Sequence, residues 1–125
     1  MRFLGIDYGR RRIGLALGEK GVVRPLMVMK KDSSFWEKLK QLCQRENIDR
    51  IVLGWCEDLQ PDISDFFSRL SQICPVVKVD ETLTTKRGVD RMLKEGVSRK
   101  QRQKKKDVFA AMAILEEFFQ GGENV

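Results

Sequence analysis

The chain has 125 residues, a formal net charge of +6, 34% charged and 42% hydrophobic residues, and no histidine. The lack of histidine excludes a histidine-based catalytic triad, a histidine general base and a histidine-ligated metal. Its apolar runs are only a few residues long, too short to span a bilayer, and we expect no signal peptide. Cys43, Cys56 and Cys74 have no C-x-x-C spacing, which argues against a disulfide framework and a zinc site. The basic balance favours nucleic acid as partner.

The first predicted strand, residues 2–7, carries the first candidate site. Side chains alternate along a strand, so Asp7 ends this one on the same face as Gly5, where space is open. Gly9 follows, and then three basic residues, Arg10, Arg11 and Arg12. A carboxylate beside bare backbone and three arginines suits a metal ion and a phosphate. The alternative is that Asp7 only initiates a turn, since Asp-x-Gly is ordinary turn chemistry.

Periodicity and turn residues predict the remaining elements in order. They are strands over about 12–18 and 21–29, a helix over about 35–46, a strand over 50–54, a helix from 61, a strand over 75–81, a helix from about 84 and a last helix over about 105–119. The order β-β-β-α-β-α-β-α-α predicts an α/β fold. It implies a mixed five-stranded sheet with helices on both faces, formed by a single domain over residues 1–125.

Carboxylates recur where elements end or meet the sheet. Asp80 and Glu81 end the fifth predicted strand and face opposite sides, so only one of them can join Asp7. Asp107 lies on the apolar stripe of the last helix, which also contains Ala110, Ala111, Ile114 and Phe118. Burying a carboxylate on that face is costly unless it is paired or bound to a metal. Clustered carboxylates suit hard divalent cations, which can clamp the oxygens of a phosphodiester.

Two alternatives accompany this choice of acids. Asp107 could be an aspartate of a helix's first turn, favoured by the helix dipole. Glu57 and Asp58, in the loop after the fourth strand, could also reach the same sheet edge. We rank this loop pair below Glu81, because no apolar context restrains them.

The segment before the last helix is strongly basic. Six of its eight residues from 99 to 106 are cationic: Arg99, Lys100, Arg102, Lys104, Lys105 and Lys106. We expect the stretch from 97 to 106 to be mobile and, with Arg10 to Arg12, to hold backbone phosphates. Such contacts provide affinity and salt dependence rather than sequence choice. The alternative is a solvated basic surface.

Four motifs in register resemble one known family, the YqgF (RuvX) family of pre-16S rRNA nucleases, also described as Holliday junction resolvases. The motifs are Gly5–Gly9 with Ile13–Ala16, Ile51–Gly54, Val79–Thr85, and Lys106–Asp107 with Ala110–Ala111 and Ile114–Leu115. The resemblance covers nearly the whole chain. Two departures concern segments that frame substrate in the family: the loop Trp55–Gln60 replaces a Gly-Leu-Pro-containing loop, and Thr82 replaces an arginine.

The resemblance implies a ribonuclease H-like fold, a cytoplasmic location and phosphodiester hydrolysis with Mg²⁺ or Mn²⁺. It implies that Asp7, Glu81 and Asp107 are the catalytic and metal-binding residues. We therefore expect a metal-dependent endonuclease acting on nucleic acid, most of all in 5′-end processing of pre-16S rRNA during ribosome biogenesis, with no membrane partner.

Three other functions stay open at this point. A Holliday junction resolvase would cut four-way DNA and would favour a symmetric homodimer. A non-catalytic RNA-binding ribosome assembly factor would need only the fold and the basic segments. An ATPase or kinase is a third, because Asp7-Tyr8-Gly9 also resembles the phosphate loop of the actin and sugar-kinase superfamily. Arg10 and Arg11 stand where that loop normally has Thr or Ser.

Overall fold

The computed structural model describes residues 1–80 and 99–121, including their side chains except those of 99–104. Five strands and three helices, with one short 3₁₀ turn at Glu57–Leu59, make up the described residues. The strands are β1 Arg2–Asp7, β2 Arg12–Glu19, β3 Val22–Lys30, β4 Arg50–Trp55 and β5 Val76–Asp80. The helices are α1 Phe35–Arg45, α2 Asp62–Ser71 and α3 Arg99–Gln120. The helix expected from about residue 84 lies outside the described residues.

The strands form one mixed sheet in the order β3-β2-β1-β4-β5, which confirms the predicted architecture. β1 pairs antiparallel with β2 and parallel with β4, while β4 pairs parallel with β5. The β2–β3 turn has positive φ at both Lys20 (53°) and Gly21 (78°), the backbone that tight hairpins favour. The carboxyl ends of β1, β4 and β5 therefore share one edge with the start of β2 and the end of β3. We call this edge the rim.

Helices cover both faces of the sheet, as alternation along the strands requires. Leu4 and Ile6 of β1 point towards α1 and α2, where they join one buried cluster. Phe3, on the opposite parity, joins a second cluster with α3. Each fully buried Leu or Ile of these clusters contributes about 1.5–3 kcal/mol relative to an exposed one. The sheet therefore lies between two packed cores, one on each face.

The glycines Gly5, Gly14 and Gly18 on the α3 face let that helix lie unusually close to the sheet. A Cβ added to Gly5 would sit 2.6 Å from Leu115 Cγ and 2.8 Å from the Ala111 carbonyl oxygen. A Cβ on Gly18 would sit 2.9 Å from the Phe119 ring. All three distances are shorter than real Cβ contacts, so a side chain at Gly5 would meet the helix backbone, and one at Gly18 would require the Phe119 ring to move.

The last helix begins earlier than expected. α3 starts at Arg99 rather than about residue 105, so the predicted start is wrong and the basic stretch from 99 continues the helix. Lys, Arg and Gln have high helix propensity, and the stretch contains no Gly or Pro, which outweighs repulsion between its cations. None of the helices in the described residues has the length and apolar character needed to cross a membrane.

Stability should fall at alkaline pH through Cys43. Burial, and secondarily the neighbouring Cys74, raises the pKa of the Cys43 thiol to about 11 from its ordinary 9.0. Because the folded state favours the protonated thiol, the contribution of Cys43 to stability is complete below pH 9. This contribution is lost as the pH rises from about 9 to about 11. Urea unfolding at pH 8 and pH 10.5 should show a smaller loss of stability in Cys43→Ala than in the wild type. A Cys56→Ala control should behave as the wild type; an equal loss in all three would contradict this prediction.

Candidate active site

Asp7 occupies the last position of β1, at the rim, and is only 8% exposed. Its register partners are Gly14 on β2 and Gly54 on β4. Neither partner has a side chain, so the row of the sheet across Asp7 is bare backbone on the α3 face. The predicted open space at Gly5 is wrong, because α3 fills it, and the bare backbone beside Asp7 comes from Gly14 and Gly54 instead.

Asp107 is brought to the same place by α3. A Cβ on Gly14 would lie 2.0 Å from the carbonyl oxygen of Asp107 and 2.9 Å from its Cβ. Paired residues of antiparallel strands have Cα atoms about 4.5–5.5 Å apart, so Asp107 lies against the immediate neighbour of Asp7. Asp107 is also the ninth residue of α3, which removes the alternative of a first-turn aspartate favoured by the helix dipole.

The Asp107 carboxylate makes a weak ion pair. Its Oδ2 lies 3.4 Å from Nε of Arg12, whose side chain is 60% exposed. Exposed pairs of this kind contribute about 1 kcal/mol at most. The carboxylate therefore remains available to a stronger ligand.

An open cavity of about 780 Å³ lies beside Asp107 at the rim. Its lining is strongly basic and consists of Gly9, Arg10, Arg11, Arg12, Lys30, Lys31, Asp32 and Asp107. Arg10 Nε contacts Asp62 Oδ2 at 2.9 Å. Within the described part of the chain, Arg11 and Lys30 form no ion pair with an acid. The cavity thus presents uncompensated positive charge next to Asp107, one strand away from Asp7.

Lys30 and Lys31 are the basic residues of this cavity that the sequence analysis missed. Lys30 ends β3 and Lys31 follows it, far in sequence from the arginines, but Lys30 is the register partner of Arg12. The predicted hairpin already contained the information needed to place them, because the end of the second strand of a hairpin pairs with the start of the first strand. An explicit register for β2 and β3 would have placed both lysines at the rim.

Asp80 and the loop after β4 lie on the other side of the sheet. Trp55 is the register partner of Asp80, and both have the parity of the α1–α2 face. Together with Glu57, Asp58 and Lys78 they line a separate cavity of about 500 Å³. Glu57 accepts hydrogen bonds from Trp55 Nε1 at 2.6 Å and from Gln60 Nε2. The sheet therefore separates these acids from the Asp7–Asp107 pair.

The other predicted site residues divide into two groups. Glu81 and the side chains of Arg99, Lys100, Arg102 and Lys104 lie outside the described residues. Lys105 and Lys106 are exposed on the turn before Asp107. The α3 backbone from 99 to 106 extends about 12 Å beyond Asp107, at about 1.5 Å per residue. No cluster of three or more metal-ligating side chains forms among the residues described.

Solved structures identify the class of fold. The chain is similar to Fowlpox virus resolvase in complex with substrate Holliday junction DNA, with a TM-score of 0.68 and 12% identity over 97% of this chain and 98% of that one. It is also similar to Thermus thermophilus RuvC in complex with a Holliday junction substrate, with a TM-score of 0.61 and 15% identity over 98% and 96%. These likenesses confirm the predicted ribonuclease H-like fold.

Sequence comparison then identifies the family. The RuvX profile, described as Holliday junction resolvase, matches residues 1–121. A Clostridium acetobutylicum protein named "Putative pre-16S rRNA nuclease" is 32% identical, over 93% of this chain and 96% of its own length. A Chlamydia abortus protein of the same name is 36% identical, over 94% and 89%. The chain belongs to the RuvX family, which confirms the resemblance.

Replacing Gly14 should push α3 away from the sheet and lower the stability of the fold. A Cβ in Gly14→Ala would collide with backbone atoms of Asp107, which cannot rotate away. Overpacking of this kind costs about 1–3 kcal/mol in the free energy of unfolding, measurable by urea denaturation. Arg24→Ala, at an exposed position on β3, is the control and should change stability by about 0.5 kcal/mol or less. Unchanged stability in Gly14→Ala would show that α3 is not packed against this glycine.

Proposed function

We propose that this protein is a divalent-metal-dependent endonuclease that cleaves nucleic acid phosphodiesters, with 5′-end processing of pre-16S rRNA as its main role. The juxtaposition of Asp7 and Asp107 beside a basic cavity carries the proposal. The names of the RuvX relatives support it. The proposal includes the cytoplasmic location that the resemblance implies and a single catalytic domain over residues 1–125.

The donor set fits a hard divalent cation. Asp7 and Asp107 provide carboxylate oxygens, the ligands that Mg²⁺ and Mn²⁺ prefer. The chain has no histidine, and the buried thiols of Cys43 and Cys74 lie in the core on the opposite face of the sheet. When bound, the ion supplies Lewis-acid activation of water and of phosphoryl oxygens.

Glu81 is our candidate for the third ligand. Asp80 and Glu81 are adjacent, and Asp80 has the parity of the α1–α2 face, away from Asp7. Val77 and Val79 pack in the α3 cluster, so alternate residues of β5 up to Val79 lie on the face of Asp7, and Glu81 is the next acid in the sequence after Asp80. The sequence choice of Glu81 over Asp80, Glu57 and Asp58 is therefore retained.

Basic residues around the acids are suited to holding the substrate backbone. Arg11 and Arg12 are exposed on the cavity beside Asp107. Lys105 and Lys106 extend this charge along α3, and Arg99, Lys100, Arg102 and Lys104 continue it in the sequence. Cationic side chains at this spacing neutralise successive phosphates and orient the strand, leaving the reacting phosphate next to the carboxylates.

A junction resolvase is the second candidate. The family description and the fold of the resolvases of known structure favour it. It adds one requirement, because two strands of a four-way junction must be cut symmetrically. We therefore expect a homodimer on junction DNA if this candidate is correct, and the non-catalytic assembly factor predicts binding without cleavage.

Cleavage assays should distinguish these functions. We expect purified protein to cut a precursor rRNA leader fragment in Mg²⁺ or Mn²⁺ and not in EDTA. Asp7→Asn and Asp107→Asn should each reduce the rate at least about 100-fold while keeping the circular dichroism spectrum, because each removes one metal-binding charge. Glu37→Gln, which neutralises an exposed acid on α1, on the opposite face of the sheet, is the control and should cut at the wild-type rate.

The alternatives predict different outcomes of the same assay. Preferential cutting of a four-way DNA junction, by a dimer in sedimentation analysis, would favour the resolvase. Undiminished cutting by Asp7→Asn would contradict the site assignment. Binding without cutting of either substrate would favour the assembly factor and would direct attention to Trp55–Gln60 and Thr82, where the chain departs from the family pattern.

A further inference from the structure

Four cations converge where β2 begins and β3 ends. Arg12 and Lys30 are directly opposite each other in the antiparallel register, and Lys31 N–H donates to the Arg11 carbonyl at 2.9 Å. Like charges directly opposite each other on neighbouring strands destabilise a sheet. The fold does not need this arrangement, so the concentration of charge indicates a ligand with several negative groups.

The four cations straddle the rim. Arg12 has the parity of Gly14 and therefore lies on the α3 face with Asp107. Lys31 lies on the opposite face, where its Nζ is 4.7 Å from the centroid of the Tyr8 ring and 5.8 Å from that of Phe66 on α2. A phosphate backbone that contacts both residues must cross from one face of the sheet to the other.

Lys31 is held in place at this crossing. Its Nζ donates a hydrogen bond of 2.7 Å to the hydroxyl of Tyr8, a residue only 3% exposed. A free lysine side chain loses about 2 kcal/mol of rotamer entropy when it is immobilised. Because Tyr8 already fixes Lys31, a phosphate binding there does not incur most of that loss. Tyr8 also directly follows Asp7, so the position of the ammonium group is linked to that of the carboxylate.

A second groove, of about 190 Å³, continues from Lys31 between α1 and α2. Here the guanidinium carbon of Arg69, an exposed side chain, lies 4.4 Å from the centroid of the Trp36 ring. Asp62 and Asp65 also line the groove, and the Asp62 carboxylate is paired with Arg10 at 2.9 Å. Stacked guanidinium and aromatic planes are the surfaces on which unpaired bases stack. We call this pair the Trp36–Arg69 platform.

We propose that a single strand of nucleic acid runs from Asp107 over the rim along Arg12, Lys30 and Lys31, and that an unpaired base stacks on the Trp36–Arg69 platform. This path rests on the proposed nucleic-acid function. It specifies in addition the direction in which the nucleic acid leaves Asp107 and that the bound nucleic acid is single-stranded. The opposite direction is disfavoured, because the cavity at the ends of β4 and β5 has three acids against one cation, Lys78, whereas the groove at Lys31 has two acids against two cations. The excess of acids in the β4–β5 cavity repels phosphates.

Metal-free binding tests the path independently of cleavage. Fluorescence anisotropy in EDTA would use three labelled probes, namely a 12-nucleotide RNA, the same sequence as single-stranded DNA, and a blunt DNA duplex, each at several salt concentrations. Lys31→Met should lower the salt slope for single strands by about 0.7, the value for one lost phosphate contact, and so should Lys30→Met. Lys40→Met, a charge-matched control at the opposite end of the sheet, should leave affinity and slope close to wild type.

Two conservative variants separate charge from positioning and stacking. Tyr8→Phe keeps both lysines but removes the hydrogen bond to Lys31, so affinity should fall about threefold with an unchanged salt slope. Arg69→Lys keeps the charge but removes the planar guanidinium. It should weaken single-strand binding about fivefold or more, again with an unchanged slope, and should leave duplex binding within about twofold of wild type.

Each outcome bears on the path. Binding by Lys31→Met and Arg69→Lys equal to that of Lys40→Met would overturn it, and so would equal losses on single strands and duplex. Tighter binding of the RNA probe would identify RNA as the bound strand, and tighter binding of the DNA probe would identify DNA. Either result supports the path only if Lys31→Met and Arg69→Lys also have the expected effects. A protein that binds in this pattern but cuts nothing would overturn the proposed nuclease function and leave the path intact.

Discussion

The close approach of α3 to β1 and β2 is the contact on which the rest of this molecule depends. Gly5, Gly14 and Gly18 leave no Cβ between the helix and the strands, and at Gly14 the gap is filled by the backbone of Asp107 itself. A helix seated on ordinary side chains would stand farther away, and a carboxylate on its face could not come beside Asp7. The candidate metal site is therefore a consequence of packing as much as of the acids.

The placement of charged residues at the rim lowers the stability of the fold. Arg12 opposes Lys30 on the neighbouring strand, and the Asp7 carboxylate is largely buried between two glycines. Such conflicts between local stability and the observed residues are typical of functional sites. In contrast, the β4–β5 end of the rim combines acids with Lys78 stacked on Trp55, 3.9 Å from its ring centroid. The two ends of one sheet edge thus differ in the sign of the charge they offer to a polyanion.

Local pattern was sufficient for most of the fold. Alternation placed Asp7 on the face of Gly5, turn residues located the β2–β3 hairpin, and helical period put Asp107 on the packed stripe of the last helix. The start of α3 was missed because the run of cations was expected to precede the helix, whereas their helix propensity continues the helix to Arg99. Lys30 and Lys31 were missed because their importance comes from pairing with β2 and from Tyr8, which are contacts between residues distant in sequence.

By itself, the sequence determined which chemistry is available and in what order the elements come: carboxylates without histidine, an excess of cations, and three strands followed by β-α units. These are properties of composition and of short-range period, so they need no knowledge of neighbours. Only the tertiary structure decided that Asp107 lies against Gly14 beside Asp7, that Asp80 lies on the other face, and that Lys31 is fixed on Tyr8. Those relations arise from strand register and helix packing, which join residues far apart in the chain and leave no periodic signal in the sequence.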